Sequence, residues 1–524
     1  MSGYAELHCH SNFSFLDGAA HPEELATLAA ARGLEAIAVT DHGGLYAMVR
    51  FDIACRRAGV RPLIGCELTL EAFSGIETPD PELLVDPIAT QAVRRLERGR
   101  HHLTLLVQTA VGFSNLCRLL SWANFADERT IVQDGQELRV GLHRKGFAAA
   151  RWELLAEHSA GLVVLSGCKR FGLIPRLLRA GRRDDAAQVA ARLREVFGAG
   201  FHLELQNHLL PDDPWLCAEL AELGKDLAIP CVATNNVHLL AATDKRVQDV
   251  LVSIRERASL DDMEARGYLA ANGEHHLKTR AEMEEALLGP GGRRSPIALE
   301  PWLKTCYLEA LDRTVEVAAG CGFQLDFSGS RFPGFTVPAG ETPFSHLYQL
   351  CQEGAKRKYR PMTAAVSRRL QTELEVIEKT GLAEFFLINW DLMKFAKDSG
   401  IPGQGRGSAA DSIVAYLLGI TRVDPVEHNL LFERFLHEEQ KSTPDIDIDF
   451  ASSRREEVIQ YIYDTYGKER TGMVANVVTF RPRLAIREVG KAMGFSPATI
   501  DRLAKSADSW YPEEALAAAR DAMS

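Results

Sequence analysis

The chain has 524 residues, with 60 Lys plus Arg against 71 Asp plus Glu and a formal net charge of -11, so one small module is excluded and roughly three or four domains are expected. Apolar residues make up 46% and charged residues 25%, which excludes wholesale disorder. The opening MSGYAELHCHSNFS has no basic segment leading into an apolar one, and no uncharged apolar run approaches the roughly 18 residues that span a bilayer. No membrane partner and a cytoplasmic location are therefore expected. The ten cysteines include no CxxC pair, so they read as buried thiols and not as a disulfide framework or a zinc ribbon. An acidic balance argues against indiscriminate nucleic-acid binding and leaves local basic grooves to be found from motifs.

In chain order, short apolar runs alternate with helical patterns. The runs are Ala5 to His10, AIAVTDH, PLIGCEL, HLTLLVQ, GLVVLSG, HLELQNH and PCVATNN. Between them lie amphipathic stretches such as PEELATLAAARG, with Pro22 at its start and Gly33 at its end, and AMVRFDIACRRAG. Repeated β/α units around a parallel sheet, closed into a barrel, are the expected architecture. The stretch Gly289 to Pro296 marks a domain boundary. A softer break runs from Pro333 to Pro343, followed by two helices, a glycine-rich loop, another helix, an acidic strand and helix-rich sequence.

His8 and His10 are two apart in an expected strand, so both rings project from one face. Asp17 follows. His42 closes the second run, Glu67 lies near the end of the third, Cys168 follows the fifth, and His238 follows the seventh. In a β/α barrel the C-terminal strand ends converge on one rim, so such side chains can meet, hold more than one metal ion and activate water for phosphoester hydrolysis. Each residue alone reads as a strand cap; their recurrence is the signal. His102 opens its run instead of closing it, and the barrel argument does not select it.

LHCHSNFSFLDG, VTDHGGLY, IGCEL, HHLTLL, LSGC, LELQ and ATNNVHLL resemble the polymerase and histidinol phosphatase (PHP) domain at the amino end of bacterial C-family DNA polymerases. The resemblance implies a distorted (β/α)7 barrel with metal positions at His8, His10, Asp17, His42, Glu67, His102, Cys168 and His238, and Zn²⁺ or Mn²⁺ as its ions. Asn236 stands where the family pattern has an Asp. A neutral amide is a weaker ligand for a hard cation, which implies a weak metal position and puts hydrolysis in doubt more than folding.

Farther along, GQGRGSAADSIVAYLLGIT places Gly403, Gly405, Gly407 and Ser408 just before an apolar helical pattern. Glycines permit close backbone approach, and amides at a helix N-terminus form an anion site that Arg406 and Ser408 would reinforce; taken alone, the loop reads as an ordinary glycine turn. PDIDIDF then alternates Asp445, Asp447 and Asp449 with apolar residues, which puts three carboxylates on one face where Mg²⁺ would neutralise them. An acidic edge strand that resists aggregation is the plain alternative. A phosphate nest together with a carboxylate pair is the apparatus of nucleotidyl transfer. FERF supplies Arg434, which suits either a phosphate or, taken alone, a surface salt bridge. From Gly467 to Lys491, six basic residues (Lys468, Arg470, Arg481, Arg483, Arg487, Lys491) face two acidic ones (Glu469, Glu488), a pattern that suits either a phosphate-backbone surface or a solvated helix. Gly354 to Lys379 carries the same excess, seven basic against three acidic.

GQGRGSAADS, LLFERFL and PDIDIDF resemble the palm of a C-family polymerase, a nucleotidyltransferase-like fold. The resemblance implies that Asp445 and Asp447 are catalytic and hold Mg²⁺, that Gly407 and Ser408 contact the triphosphate, that Arg406 and Arg434 support it, and that Asp449 stays outside. GQGRGSAA with TFRPRLAIREVGKAMG resembles the error-prone, translesion branch, and the local charge excess puts Arg481, Arg483, Arg487 and Lys491 on nucleic acid. The expected organisation is an α/β multidomain chain: 1–290 a PHP barrel, 291–465 a partial palm, 466–524 a helical thumb-like segment. The family's third catalytic carboxylate, in a Lys-Phe-Asp context, and its fingers do not occur before Ser524, so an incomplete polymerase is expected. Primer-template DNA and deoxynucleoside triphosphates are the implied substrates, with a sliding clamp and damage-response proteins as partners. Two other expectations compete: a barrel acting as a metal-dependent phosphoesterase or 3′ to 5′ exonuclease, and a barrel serving only as a scaffold.

Overall fold

A computed structural model describes residues 3–73, 75–77, 79, 100–124, 148–267, 269–289, 299–326, 334–436, 444–467, 470–474, 476–507, 513–514, 517 and 520, with 128–133 and 136–141 described by their backbone. The chain divides into two compact units, Met1–Leu325 with Thr479–Ser524, and Asp326–Val478. No helix among the described residues is long and apolar enough to cross a membrane.

The first unit is built on β1 (Ala5–Glu6), β2 (Ala36–Val39), β3 (Arg61–Leu70), β4 (His101–Val107), β7 (Leu162–Leu165), β8 (Phe201–Leu205) and β9 (Cys231–Ala233), which form a seven-stranded sheet in that order. The two intervening strands, β5 (Glu128–Gln133) and β6 (Gln136–Gly141), form a separate hairpin. The sheet curls until the chain just past β1 meets the chain just past β9: Cys9 bridges Val237, and His10 N donates to Val237 O at 2.7 Å.

All seven expected runs are strands, but the sheet is not all-parallel. β4 runs antiparallel to both β3 and β7, because an apolar pattern reads alike in either direction and only the path of the connection decides which way a strand enters. The reversal places the start of β4 beside the end of β3, with His102 paired to Thr69. It therefore explains why His102, at a strand start, joins ligands from strand ends.

The two-residue period of each strand divides the sheet's residues between two apolar clusters. Ile37, Val39, Ile64, Leu105, Val164 and Leu203 pack in the larger cluster with residues of the surrounding helices. Ala36, Ala38, Leu63, Leu106, Val163, Leu165 and Val232 pack instead with Val317, Ala318 and Cys321 at the end of the helix Pro301–Gly320. Along β3 the residues after Leu63 on that face are Gly65 and Glu67, and along β4 those before Leu106 are Thr104 and His102. One face is thus apolar at one end and ligand-bearing at the other.

The second unit is mainly helical. Thr342 and Thr363 cap the helices Pro343–Lys358 and Ala364–Thr380, accepting from Ser345 N and Val366 N, and Gly381 ends the latter with φ of 68°. Leu370, Leu374, Ile377, Phe386, Ile413 and Phe435 form its core. One small sheet, β10 (Gly403–Arg406) with β11 (Asp447–Phe450), completes it.

Candidate metal centre and carboxylate strand

Seven of the eight residues assigned to the barrel's metals gather around Glu67 and Asp17. Glu67 Oε2 lies 3.0 Å from His8 Nε2 and 3.8 Å from His10 Nε2, while its Oε1 lies 2.5 Å from His102 Nδ1 and 2.8 Å from His42 Nδ1. Asp17 Oδ2 lies 3.0 Å from His42 Nε2 and 3.2 Å from His238 Nε2. Three overlapping triplets, His8–His10–Glu67, His42–Glu67–His102 and His10–His42–His238, have ligand atoms within 4.8 Å of one another. Cys168 lines the same cavity of about 430 Å³ as Asp17, His42, Glu67 and His238, but it belongs to none of these triplets.

The donor set fits divalent metal. His42 Nδ1 is close to Glu67 yet makes no aligned hydrogen bond to it, and the Nε2 atoms of His8 and His10 stand 3.1 Å apart. These atoms converge on shared points instead of pairing off. Neutral imidazoles with carboxylates suit a divalent metal ion. His8, His10, His42, Glu67, His102, Asp17 and His238 would hold the ions, which when bound would polarise water and phosphoryl oxygens.

Without metal, protons do the neutralising. Burial pushes the His8 imidazolium down, but Glu204 and Glu67 outweigh it and hold it up at about 10. His42 is likewise held at about 10 against burial by Glu67 and Asp17. Burial, with His42 and His238 adjacent, pushes His10 well below its ordinary value. Despite burial, His102 and His42 hold Glu67 far below the usual carboxylate range, and His238, His42 and Arg255 do the same for Asp17.

In the second unit the glycine loop and the acidic strand are neighbours. Across the β10–β11 ladder Arg406 is paired with Asp447 and Gln404 with Asp449. Gly407 follows with φ of 66°, and a Cβ added there would stand 3.7 Å from Asp447 Oδ2. Arg406 Nε lies 3.1 Å from Asp449 Oδ2, and its Nη1 lies 3.8 Å from Asp447 Oδ2. All three side chains are exposed, so these pairs contribute little stability and are easily exchanged for a cation or a phosphate. Asp445, also exposed, stands two residues before Asp447, and Arg434 is exposed at the end of the turn Phe432–Arg434.

The expected helix N-terminus is a correction. Ser408 lies in the 3₁₀ turn Gly407–Asp411, and the helix Ile413–Leu418 begins later, capped by Ser412. Its first amides are already taken: the fully buried Glu373 accepts from Ile413 N at 3.1 Å, Val414 N at 3.3 Å and Ser412 Oγ at 2.9 Å. A phosphate at this loop would meet the turn and Arg406, not the helix end. In the first unit, Arg481 precedes and Arg483, Arg487 and Lys491 lie on the helix Pro482–Ala492; Arg487 pairs with Asp501 at 3.0 Å and Lys491 with Glu488 at 2.7 Å.

Two family models match the chain: the PHP domain over residues 6–208 and the bacterial DNA polymerase III alpha NTPase domain over residues 345–523. An error-prone DNA polymerase of Symbiobacterium thermophilum is 37% identical over 502 residues, covering 96% of this chain and 42% of the relative. One from Mycolicibacterium paratuberculosis is 37% identical over 511 residues, with coverages of 97% and 42%. The DNA polymerase III subunit alpha of Borreliella burgdorferi is 33% identical over 507 residues, with coverages of 96% and 40%. The chain belongs to the bacterial C family of DNA polymerases. It spans less than half the length of these curated C-family relatives.

Two residues of the C-family chain that support the candidate metal centre, Glu204 and Arg255, were not singled out from sequence, and Asp41 reads there only as a strand end beside His42. Glu204 accepts from His8 Nδ1 at 2.7 Å and from Thr234 Oγ1 at 2.5 Å, fixing the ring that aims at Glu67. Asp41 accepts from Ser11 N, Ser11 Oγ and Ser14 Oγ, each at 2.7 Å, and so shapes the loop between His10 and Asp17. Arg255 donates to Asp17 Oδ1 at 2.9 Å. The signal for Glu204 was alternation within HLELQ, which puts it on the same strand face as Gln206; nothing local marks Arg255. Asn236 takes φ of 44° and offers its carbonyl to His238 Nδ1 at 2.8 Å, while its side-chain Oδ1 is buried with no hydrogen-bond partner.

Proposed function

We propose that this chain supplies the metal-binding barrel and the palm of an error-prone, translesion DNA polymerase. Asp445 and Asp447 hold Mg²⁺, Gly407, Ser408, Arg406 and Arg434 meet the triphosphate, and the primer 3′ hydroxyl attacks the α-phosphorus of a deoxynucleoside triphosphate with pyrophosphate leaving. Arg481, Arg483, Arg487 and Lys491 contribute to the hold on primer-template DNA. A sliding clamp and damage-response proteins are its partners, and Zn²⁺ or Mn²⁺ occupies the barrel. The observation that carries the reading is the ladder that sets Arg406 and Gly407 beside Asp447. The error-prone branch is supported by relatives of that name at 37% identity.

The test is Mg²⁺-dependent dATP binding by this chain, with primer extension by the chain joined to the part of a curated relative that it does not match. The expected result is nucleotide binding and extension, both abolished by Asp445→Ala with Asp447→Ala. Unchanged binding and extension in the double variant, or primer shortening that depends on His8 and His10 in place of extension, would overturn the reading.

A further inference from the structure

The first unit carries a second group of reactive side chains that polymerisation does not use. Cys231 opens β9 and is buried; Cys306 is half-buried in the helix Pro301–Gly320, which packs along that strand. The two thiols influence each other, Cys231 being raised and Cys306 lowered. Both line a cavity of about 670 Å³, walled also by Lys225, Trp302, Glu309 and Arg313. Arg313 Nη1 donates to Cys231 O at 2.8 Å, which keeps a guanidinium beside the sulfurs. The Cys231 sulfur is hemmed in from behind, since a Cβ on Gly224 would stand 3.1 Å from it. Burial raises Cys9, Cys55, Cys66, Cys117, Cys168, Cys217, Cys321 and Cys351 above the ordinary thiol value. Cys306 is shifted down by Cys231, against burial and Glu309, with a smaller pull from Arg313. A solvent-reachable, thiolate-prone cysteine that shares a cavity with a second thiol is the arrangement that oxidises reversibly.

We propose that Cys306 and Cys231 are a peroxide-oxidisable dithiol whose disulfide ties the helix Pro301–Gly320 to β9. The Cys306 thiolate attacks one oxygen of hydrogen peroxide; the S–O bond forms, the O–O bond breaks, and the departing hydroxide takes a proton. The Cys231 thiol gives up its proton, its sulfur attacks the Cys306 sulfur, and the hydroxyl leaves as water. Two thiols are oxidised by two electrons and peroxide is reduced to two waters.

The whole folded chain is treated with dilute hydrogen peroxide, remaining thiols are alkylated, and the digest is mapped by mass spectrometry. The expected product is a Cys231–Cys306 linked peptide that dithiothreitol releases. Cys306 should react at least about tenfold faster than Cys117, the other half-buried thiol. Cys231→Ser should leave Cys306 as a sulfenic acid that dimedone traps, and Cys306→Ser should abolish the linked peptide, with circular dichroism melting confirming that both variants fold. Absence of the linked peptide from the folded wild-type chain, or oxidation of Cys117 as fast as Cys306, would overturn the proposal without reference to any variant or to polymerase activity.

Discussion

Glu67 touches four imidazoles through two oxygens, so it sets the spacing of the whole centre, and each imidazole must in turn be held from behind. For His8 that support is Glu204, 2.7 Å from Nδ1 and buried with it. Glu204→Gln keeps the volume and the contact to Thr234 but replaces a carboxylate with an amide, weakening the pull on the ring. Barrel metal affinity should fall between about tenfold and 100-fold while the fold is kept, the usual cost of losing such a partner. Zn²⁺ and Mn²⁺ titrations by calorimetry, beside circular dichroism, would check this; unchanged affinity would mean that His8 is not a ligand. Spacing made His8 and His10 visible in the sequence because a strand with a two-residue period leaves little choice of face. Arg255 was invisible because it approaches Asp17 across 238 positions of chain, a relation that no local pattern encodes.

At the scale of elements, strands were legible where apolar runs were short and bounded, and their direction was not. β4 shows why: HHLTLLV reads the same whether the chain enters from the rim or from the opposite end. The hairpin β5–β6 was missed although Asp134-Gly135 in the sequence is a hairpin signal. The glycine loop shows another limit, because the helix amides predicted to meet an anion are satisfied by Glu373, which lies 40 residues earlier. That substitution of a buried carboxylate for a phosphate makes Glu373 a support of the loop. Arg369 Nε reaches its Oε1 at 2.8 Å, and Arg369 Nη2 reaches Asp411 O at 2.9 Å. Glu373→Ala should leave buried amides and the Ser412 hydroxyl unpaired and should lower stability by about 2–4 kcal/mol. Urea unfolding would measure the loss, and hydrogen exchange should show it first between Ile413 and Leu418. A change no larger than that of an exposed substitution would remove Glu373 from this role.

At the scale of the molecule, the two units have separate cores, one reaching from Tyr4 to Leu311 and one from Leu347 to Leu436, so a ligand of the barrel should stabilise one and not the other. In the metal-free protein His8 and His42 have values raised to about 10. The stability they contribute is fully present below their unfolded value of about 6.5 and is lost as pH rises toward 10. Glu67 and Asp17 are held low, so their contribution is present above about pH 4.5 and is lost as pH falls. Metal binding requires those imidazoles to be neutral, so affinity should rise over the same range in which the metal-free unit weakens. A chelator selective for transition metals, with Mg²⁺ kept present, should therefore destabilise Met1–Leu325 more at pH 9 than at pH 6. At free metal about 100-fold above its dissociation constant at pH 9, removing the metal costs about 2.7 kcal/mol there, and less at pH 6. Hydrogen exchange followed by mass spectrometry separates the units: protection should drop in β3, β4 and β8 and stay constant in the helices Ala364–Thr380 and Ala383–Asp398. Equal loss in both units, or no dependence on pH, would mean that the barrel histidines do not exchange protons for metal.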